Sequence, residues 1–194
     1  MSPDITPLVP FYPARPFTAV GAIDQEVFSD WLCEPKFNGW RFLYDAERGR
    51  AWNRKGQVFS VGTLVPLRSS WSATEFWLDC EYIGKRTDAG AGSIVVIDCI
   101  RKGGDAADYV ERRSRFEHLP EIPYDDIPVG VLMRFPSFRW EQASADIEIM
   151  KAVNQWHEET IWEGIVLKHP KSLYPIQKSS PDKETSVWAK CRFV

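Results

Sequence analysis

The stretch LCEPKFNGWRFLYD, residues 32–45, decides how the rest of the chain is read. Two short runs of apolar and aromatic residues flank Asn38-Gly39, a dipeptide that marks a tight turn between strands. Lys36 stands near the end of the first run, between Pro35 and Phe37. Lysine is seldom placed in an apolar segment unless it is paired or used. Lys36 is therefore the residue around which a site is sought.

The same pattern recurs along the chain. WLCEPKF, WRFLYDAE, RAWNRKGQVFSV, EFWLDCEYIG, SIVVIDCIR, VGVLMRFP, IWEGIVLKHP and SVWAKCRF are short, aromatic or β-branched, and bounded by turn residues, so each predicts a strand. RKGGDAADYVERRSRFEHLP predicts a glycine-containing loop and then a helix ending at Pro120. SADIEIMKAVNQWHEE predicts a helix capped by Ser144, with Ile149, Met150, Val153 and Trp156 on its core side. A shorter helix is expected near LVPLRSSW. This order predicts an α+β fold with two antiparallel β-sheets flanked by helices. A length of 194 residues fits a single domain spanning 1–194, with the proline-rich residues 1–20 as an extended arm on its surface.

Bulk properties exclude several classes. No apolar run approaches the ~20 residues of a membrane span, and the first residues lack the apolar core of a signal peptide, so a cytoplasmic protein with no membrane partner is expected. Cys33, Cys80, Cys99 and Cys191 form no C-x-x-C pair, and His118, His157 and His169 are scattered, which argues against zinc and for reduced thiols. A net charge of −3 argues against indiscriminate nucleic-acid binding. The charge is uneven, however. Ten acids oppose three bases between Glu117 and Glu163, whereas six bases oppose two acids from Ile165 onward, and Arg41, Arg48, Arg50, Arg54 and Lys55 form a second basic group. Local basic surfaces on an acidic body suit a phosphate-bearing ligand in one cleft.

Alternation assigns faces to two strands. In FWLDCEYI, Phe76, Leu78, Cys80 and Tyr82 share one face, and Trp77, Asp79, Glu81 and Ile83 the other. In VWAKCRF, Trp188, Lys190 and Arg192 share a face opposite Val187, Ala189 and Cys191, which fits either a phosphate-lined cleft or a half-exposed edge strand.

Taken together, these segments resemble the adenylation domain of the covalent nucleotidyltransferases, which include ATP-dependent DNA ligases, RNA ligases and mRNA capping enzymes. That family's K-x-D-G-x-R reads here Lys36-Phe37-Asn38-Gly39-Trp40-Arg41, and its S-R-x-G reads Asn53-Arg54-Lys55-Gly56. Its Asp-Gly-Glu is represented by Asp79-Cys80-Glu81, and its following strand by VVIDCIR, with Ile97 where an aromatic residue commonly precedes the aspartate, Asp98. E-G-x-V-x-K matches Glu163 to Lys168. The last motif, K-x-K after an aromatic, matches Trp188-Ala189-Lys190-Cys191-Arg192, with Arg192 in place of the second lysine. YVERRSRFEHL looks like the arginine-rich helix of these ligases. The motifs keep the family order across residues 34–192, and Glu34-Pro35 with Arg41 looks most like DNA ligases of the bacterial and phage type.

The resemblance implies an ATP-grasp-like ligase adenylation domain with no OB-fold. It also implies ATP-dependent DNA ligase activity, with Lys36 forming a lysyl-AMP that is passed to a 5′-phosphate at a nick. Glu34 would read the adenine edge, and Glu81 a ribose hydroxyl. Arg41 and Arg54 would hold ribose, the α-phosphate or the nick phosphate, with Arg192 a further nick-phosphate contact. Lys168 and Lys190 would touch the α-phosphate, and Glu163 would hold Mg²⁺ or Mn²⁺. Asp79 and Asp98 would be structural, and Trp188 part of the core. The implied partner is nicked duplex DNA, or RNA, bound by a monomer in a bacterial or phage-infected cytosol, with a separate OB-fold domain or clamp-like protein. Two other readings stay open: an RNA ligase or capping-type guanylyltransferase, and a domain that binds a nucleotide or nucleic-acid end without chemistry.

Overall fold

The computed structural model describes residues 9–19, 25–45, 47–59, 75–84, 93–117, 122–124, 127–131, 140–157 and 160–193. Along these run β1 (Arg15–Thr18), α1 (Gln25–Phe28), β2 (Leu32–Phe37), β3 (Trp40–Asp45), β4 (Arg50–Asn53), β5 (Phe76–Ile83), β6 (Ser93–Arg101), α2 (Tyr109–Glu117), β7 (Ile122–Tyr124), β8 (Ile127–Val131), α3 (Trp140–His157), β9 (Trp162–Lys168) and β10 (Glu184–Arg192). The short helix expected near LVPLRSSW, and Pro120, lie outside the described residues. Among those residues, no helix is long and apolar enough to cross a membrane.

The strands form two sheets, ordered β1-β10-β9-β2 and β4-β3-β5-β6-β8-β7. The α+β class holds, but the sheets are mixed rather than antiparallel. β1 runs parallel to β10, and β6 runs parallel to β8. The second case follows from connectivity, because α2 lies between β6 and β8 in the chain and packs on β6. The first joins segments from opposite ends of the sequence.

Asn38-Gly39 is not the hairpin turn that its composition suggested. β2 belongs to the four-stranded sheet and β3 to the six-stranded one, so the bend carries the chain from one sheet to the other. Gly39 is needed for closeness: a Cβ there would lie 2.8 Å from Glu81 Cγ and would collide with the Tyr82 carbonyl oxygen. Asn38 donates from Nδ2 to the Thr160 carbonyl at 3.0 Å, and its backbone N–H donates to Ile161 O at 2.9 Å. A carboxylate could not make the first of these bonds.

Three apolar clusters hold the sheets. One covers a face of the six-stranded sheet with Phe42, Tyr44, Leu78, Cys80, Tyr82, Ile94 and Val96. This agrees with the facing assigned to β5: Cys80 is fully buried, on the side away from Asp79 and Glu81. A second joins Cys33, Ile165, Leu167 and Ala189 to Phe28 of α1 and Met150 of α3. The third bridges the sheets through Phe11, Ala14, Leu43, Ile100, Tyr174 and Trp188. Fully burying one such large side chain contributes about 1.5–3 kcal/mol. All four cysteines are free thiols.

Two expectations fail here. The described part of the N-terminal arm, residues 9–19, is not merely laid on the surface: Phe11 is 5% exposed and Ala14 is 0%, and residues 15–18 are a strand of the four-stranded sheet. Its prolines favour extended backbone but do not say whether that backbone pairs. α3 begins at Trp140, before Ser144, and its facing is rotated. Ile147, Met150 and Asn154 look inward, whereas Ile149 is 61% and Trp156 81% exposed. The inward stripe contains a polar residue because Asn154 secures the start of β9. Its Nδ2 donates to Trp162 O at 2.6 Å, and its Oδ1 accepts from the Ile161 and Trp162 N–H groups at 2.9 and 3.1 Å.

Candidate active site

Beside the inter-sheet cluster, residues of both sheets line a cleft of about 600 Å³. Glu34, Lys36, Arg41, Arg54, Glu81, Glu163, Lys168, Lys190 and Arg192 all line it. Residues separated by as many as 158 positions thus meet in one place.

The four-stranded sheet supplies the floor. Alternation along β2 turns Glu34 and Lys36 inward and Cys33 toward α3. On β9, Val166 and Lys168 face in by the same rule, but Glu163 has the wrong parity. A β-bulge corrects this: the β2–β9 register pairs Lys36 with Gly164 and then Phe37 with Trp162, leaving Glu163 as the extra residue, swung into the cleft. Gly164 permits the close packing beside it, since a Cβ there would lie 2.9 Å from Arg192 Cα and nearer still to the Cys191 carbonyl oxygen. Gly164→Ala is expected to destabilise the protein by about 3 kcal/mol through this overpacking, read as a lowered urea midpoint; an unchanged midpoint would show that β10 yields freely.

The bulge brings Glu163 to Lys36, whose ammonium donates to Glu163 Oε1. Arg192 Nη2 donates to the same oxygen at 3.1 Å. β10 lies between β1 and β9, so the edge-strand reading is wrong and Trp188, Lys190 and Arg192 form an internal, cleft-facing row. Trp188 is 1% exposed yet forms part of the floor, with Lys168 Nζ 4.2 Å and the Arg41 guanidinium 5.5 Å from its ring centroid. Lys190 donates to Pro16 O at 3.2 Å. Desolvation, reinforced by the Arg15 cation and opposed by Glu184, holds its ammonium below the usual lysine range.

The six-stranded sheet supplies the opposite wall. Arg41 on β3 makes a bidentate pair with Asp79 on β5, Nε–Oδ1 2.8 Å and Nη2–Oδ2 2.5 Å, and donates to the Ala14 carbonyl. Desolvation disfavours this guanidinium's charge, but the Asp79 carboxylate outweighs it and pushes the pKa up. Tyr174 Oη also donates to Asp79, at 2.8 Å. Arg54 stands on the turn after β4, where Asn53 Oδ1 accepts from the N–H groups of Lys55 and Gln57 at 2.8 and 3.1 Å, and it is exposed at the mouth. On β6, pairing shifts from Asp79↔Asp98 to Cys80↔Val96, so Ile97 is itself a bulged residue lining the cleft.

Glu81 lies opposite Arg41 in the ladder. Burial is the main cause that lifts its carboxyl from the ordinary 4.5 to about 7, with Lys36 and Arg41 pulling the other way. The folded protein therefore holds this proton more tightly than the unfolded chain. Stability from Glu81 is complete below about pH 4.5 and falls as pH rises through about 7. Glu81→Gln is expected to remove a penalty on the order of 2–3 kcal/mol at pH 8 while leaving stability at pH 4 nearly unchanged. Urea melts of both proteins at the two pH values measure this; an equal difference at both would exclude it.

Several cleft residues escaped the sequence reading. Arg15 and Pro16 of β1 complete one rim. Beneath Glu34, α2 contributes Tyr109, Arg112 and Arg113, all 3% exposed or less. Tyr109 Oη donates to Glu34 Oε1, Lys168 Nζ lies 2.8 Å from Glu34 Oε2, and Arg113 Nη1 lies 3.9 Å from Oε1. Arg112 grips Asp98 at 2.9 and 3.1 Å and the carbonyls of Ala107 and Ser172 at 2.9 and 3.0 Å. α2 is capped by Asp108, whose Oδ1 accepts from the Glu111 N–H at 2.9 Å. A buried aspartate on β6 requires a cation, and that requirement is the signal that points to the helix arginines.

No protein-family model matches the chain, and no curated protein matches it significantly. Solved structures do. The ligase domain of M. tuberculosis LigD matches with TM-score 0.55 and 20% identity, over 95% of this chain and 59% of that one. Mycobacterial DNA ligase D, complexed with ATP and MES, matches with TM-score 0.62 and 19% identity, over 94% and 60%. An archaeal ATP-dependent RNA ligase matches with TM-score 0.56 and 19% identity, over 88% and 48%. The chain thus spans about three fifths or less of these proteins, and shares the fold of their ligase domains.

Proposed function

We propose that this chain is the adenylating part of an ATP-dependent polynucleotide ligase acting on nicked DNA, with Lys36 as the nucleophile. What supports this reading is the convergence of nine side chains from five dispersed motifs on one cleft, with Lys36 held by Glu163. The amine of Lys36 attacks the α-phosphorus of ATP, the N–P bond forms, the α–β P–O bond breaks, and pyrophosphate leaves with the electron pair. Lys36 must shed a proton first, and Glu163 is the acceptor already in contact with it. Lys168, Lys190 and Arg192 offset charge on the phosphates. Glu34 accepts from adenine and Glu81 meets the ribose. Arg54, exposed at the mouth, meets the nick 5′-phosphate to which AMP is passed before the 3′-hydroxyl displaces it.

Among the described residues no cluster of three or more carboxylate, histidine or cysteine ligands exists. The donor set fits Mg²⁺ or Mn²⁺ only as one carboxylate, Glu163, completing a metal that is held chiefly by ATP phosphates. When bound, such a metal neutralises phosphate charge and polarises the α-phosphorus.

Intact mass after incubation with ATP tests the first step: the expected gain is one AMP. A gain from GTP instead would assign a capping-type enzyme, and nucleotide binding with no gain a non-catalytic domain. Sealing of nicked RNA and not DNA would favour the RNA-ligase reading, which the likeness to an archaeal RNA ligase keeps in play.

A further inference from the structure

Glu34 is 1% exposed, yet it lines the cleft. Its polar contacts among the described residues are a donor and two cations: Tyr109 Oη on Oε1, Lys168 Nζ 2.8 Å from Oε2, and Arg113 3.9 Å from Oε1. Of the two oxygens, Oε1 has a hydrogen bond, whereas Oε2 has the Lys168 ion pair but no hydrogen bond among the described residues. A buried carboxylate oxygen with an unused lone pair beside a cavity is an acceptor in want of a donor. Lys168 is fixed on its far side between two rings, 4.2 Å from the Trp188 centroid and 4.7 Å from that of Tyr109. Tyr109 therefore contacts both halves of the pair, through its hydroxyl and its ring face.

We propose that Tyr109 is a positioning residue that holds the Glu34 carboxylate as an acceptor for the 6-amino group of adenine and so sets the preference for ATP over GTP, an inference that rests on the ATP reading above. Adenine presents an amino donor at this edge, and guanine presents a keto oxygen that a fixed carboxylate repels. The phenol stays a donor, since burial and the adjacent Glu34 carboxylate push its pKa well up. Without the hydroxyl, Oε1 can turn toward Arg113, and the carboxylate loses the orientation that presents it to the base.

The test is equilibrium binding of the α,β-methylene analogues of ATP and GTP, which bind but cannot transfer a nucleotide. Wild-type protein is expected to prefer the ATP analogue. Tyr109→Phe keeps the ring against Lys168 and Arg112, and is expected to weaken the ATP analogue about tenfold, the scale of one hydrogen bond to a charged group, with the GTP analogue within about twofold. In a Glu34→Gln background the same substitution is expected to move the preference less than about twofold, because the two residues act as one unit. Equal weakening of both analogues, or an unchanged ratio, would mean that Tyr109 only supports the fold and would overturn the proposal. If Tyr109→Phe melts early, Glu34→Gln alone decides, since an unchanged preference there removes the acceptor the proposal requires. Wild-type protein with no preference overturns it outright. Wild-type protein that prefers the ATP analogue but gains no AMP mass refutes the adenylation instead, and the binding ratio still decides the role of Tyr109.

Discussion

Lys36→Arg is expected to abolish the covalent nucleotide while leaving nucleotide binding within about tenfold of wild type. Arginine keeps the positive charge and an ion pair with Glu163, so the electrostatics of the cleft change little. It cannot lose its proton in the accessible pH range, however, and a protonated guanidinium has no lone pair to offer phosphorus. Lys36→Ala removes the nucleophile and also leaves Glu163, among the described residues, paired only with Arg192, so this variant combines lost chemistry with a changed cleft charge. Comparing the two separates these effects. Intact mass and label from α-labelled ATP are the readouts. Label that survives denaturation in either variant would place the nucleophile elsewhere.

Asp79→Ala is expected to cost about 3–5 kcal/mol of stability, the scale seen when one partner of a buried ion pair is removed. Asp79 is 0% exposed and accepts two hydrogen bonds from Arg41 and one from Tyr174. Its loss strands a guanidinium in an apolar setting beside Trp188 and frees the phenol that otherwise ties Asp79 to the Ala14 N–H, 3.1 Å away. For a chain of this size the melting midpoint should fall by roughly 10 °C. Arg41, no longer aimed at the cleft, should also slow adduct formation. A midpoint within about 2 °C of wild type would mean that water or Glu81 substitutes for Asp79. The double variant Arg41→Met with Asp79→Leu should recover much of the stability but not the adduct rate, because it removes both charges together.

The motifs were legible because strand alternation is a strict two-residue code. Asp79 with Glu81, and Trp188 with Lys190 and Arg192, could be assigned to shared faces from the sequence alone. Where the code failed, a backbone irregularity or a polar residue intervened. Glu163 and Ile97 reach the cleft through bulges, and a bulge changes parity without a pattern in the sequence to mark it. Asn38-Gly39 has a hairpin's composition, but its neighbours pair with strands of different sheets, a choice made by distant contacts. Asn154 occupies a core position of α3 because its amide serves the backbone of β9, and that displaced the apolar stripe drawn through Ile149 and Trp156. The arginine-rich helix was noticed by resemblance, but which arginine meets Asp98 and which approaches Glu34 depends on helix docking, which one strand's pattern does not encode.

The parallel pairing of β1 with β10 also constrains the order in which the protein is made. Pro16 O and Lys190 Nζ, bonded across the cleft rim, are 174 positions apart. Such a high-contact-order closure forms late, because the entropy of the intervening loop is lost before the pairing rewards it. At ribosomal speed the first strand waits roughly ten to forty seconds for its partner. During that interval the inner faces of Phe11 and Ala14 lack Trp188, so the growing chain exposes an unfinished sheet edge and has no complete cleft. The cleft is thus complete only once β10 has left the exit tunnel, and any ligand that fills it favours the closed form over every truncated precursor.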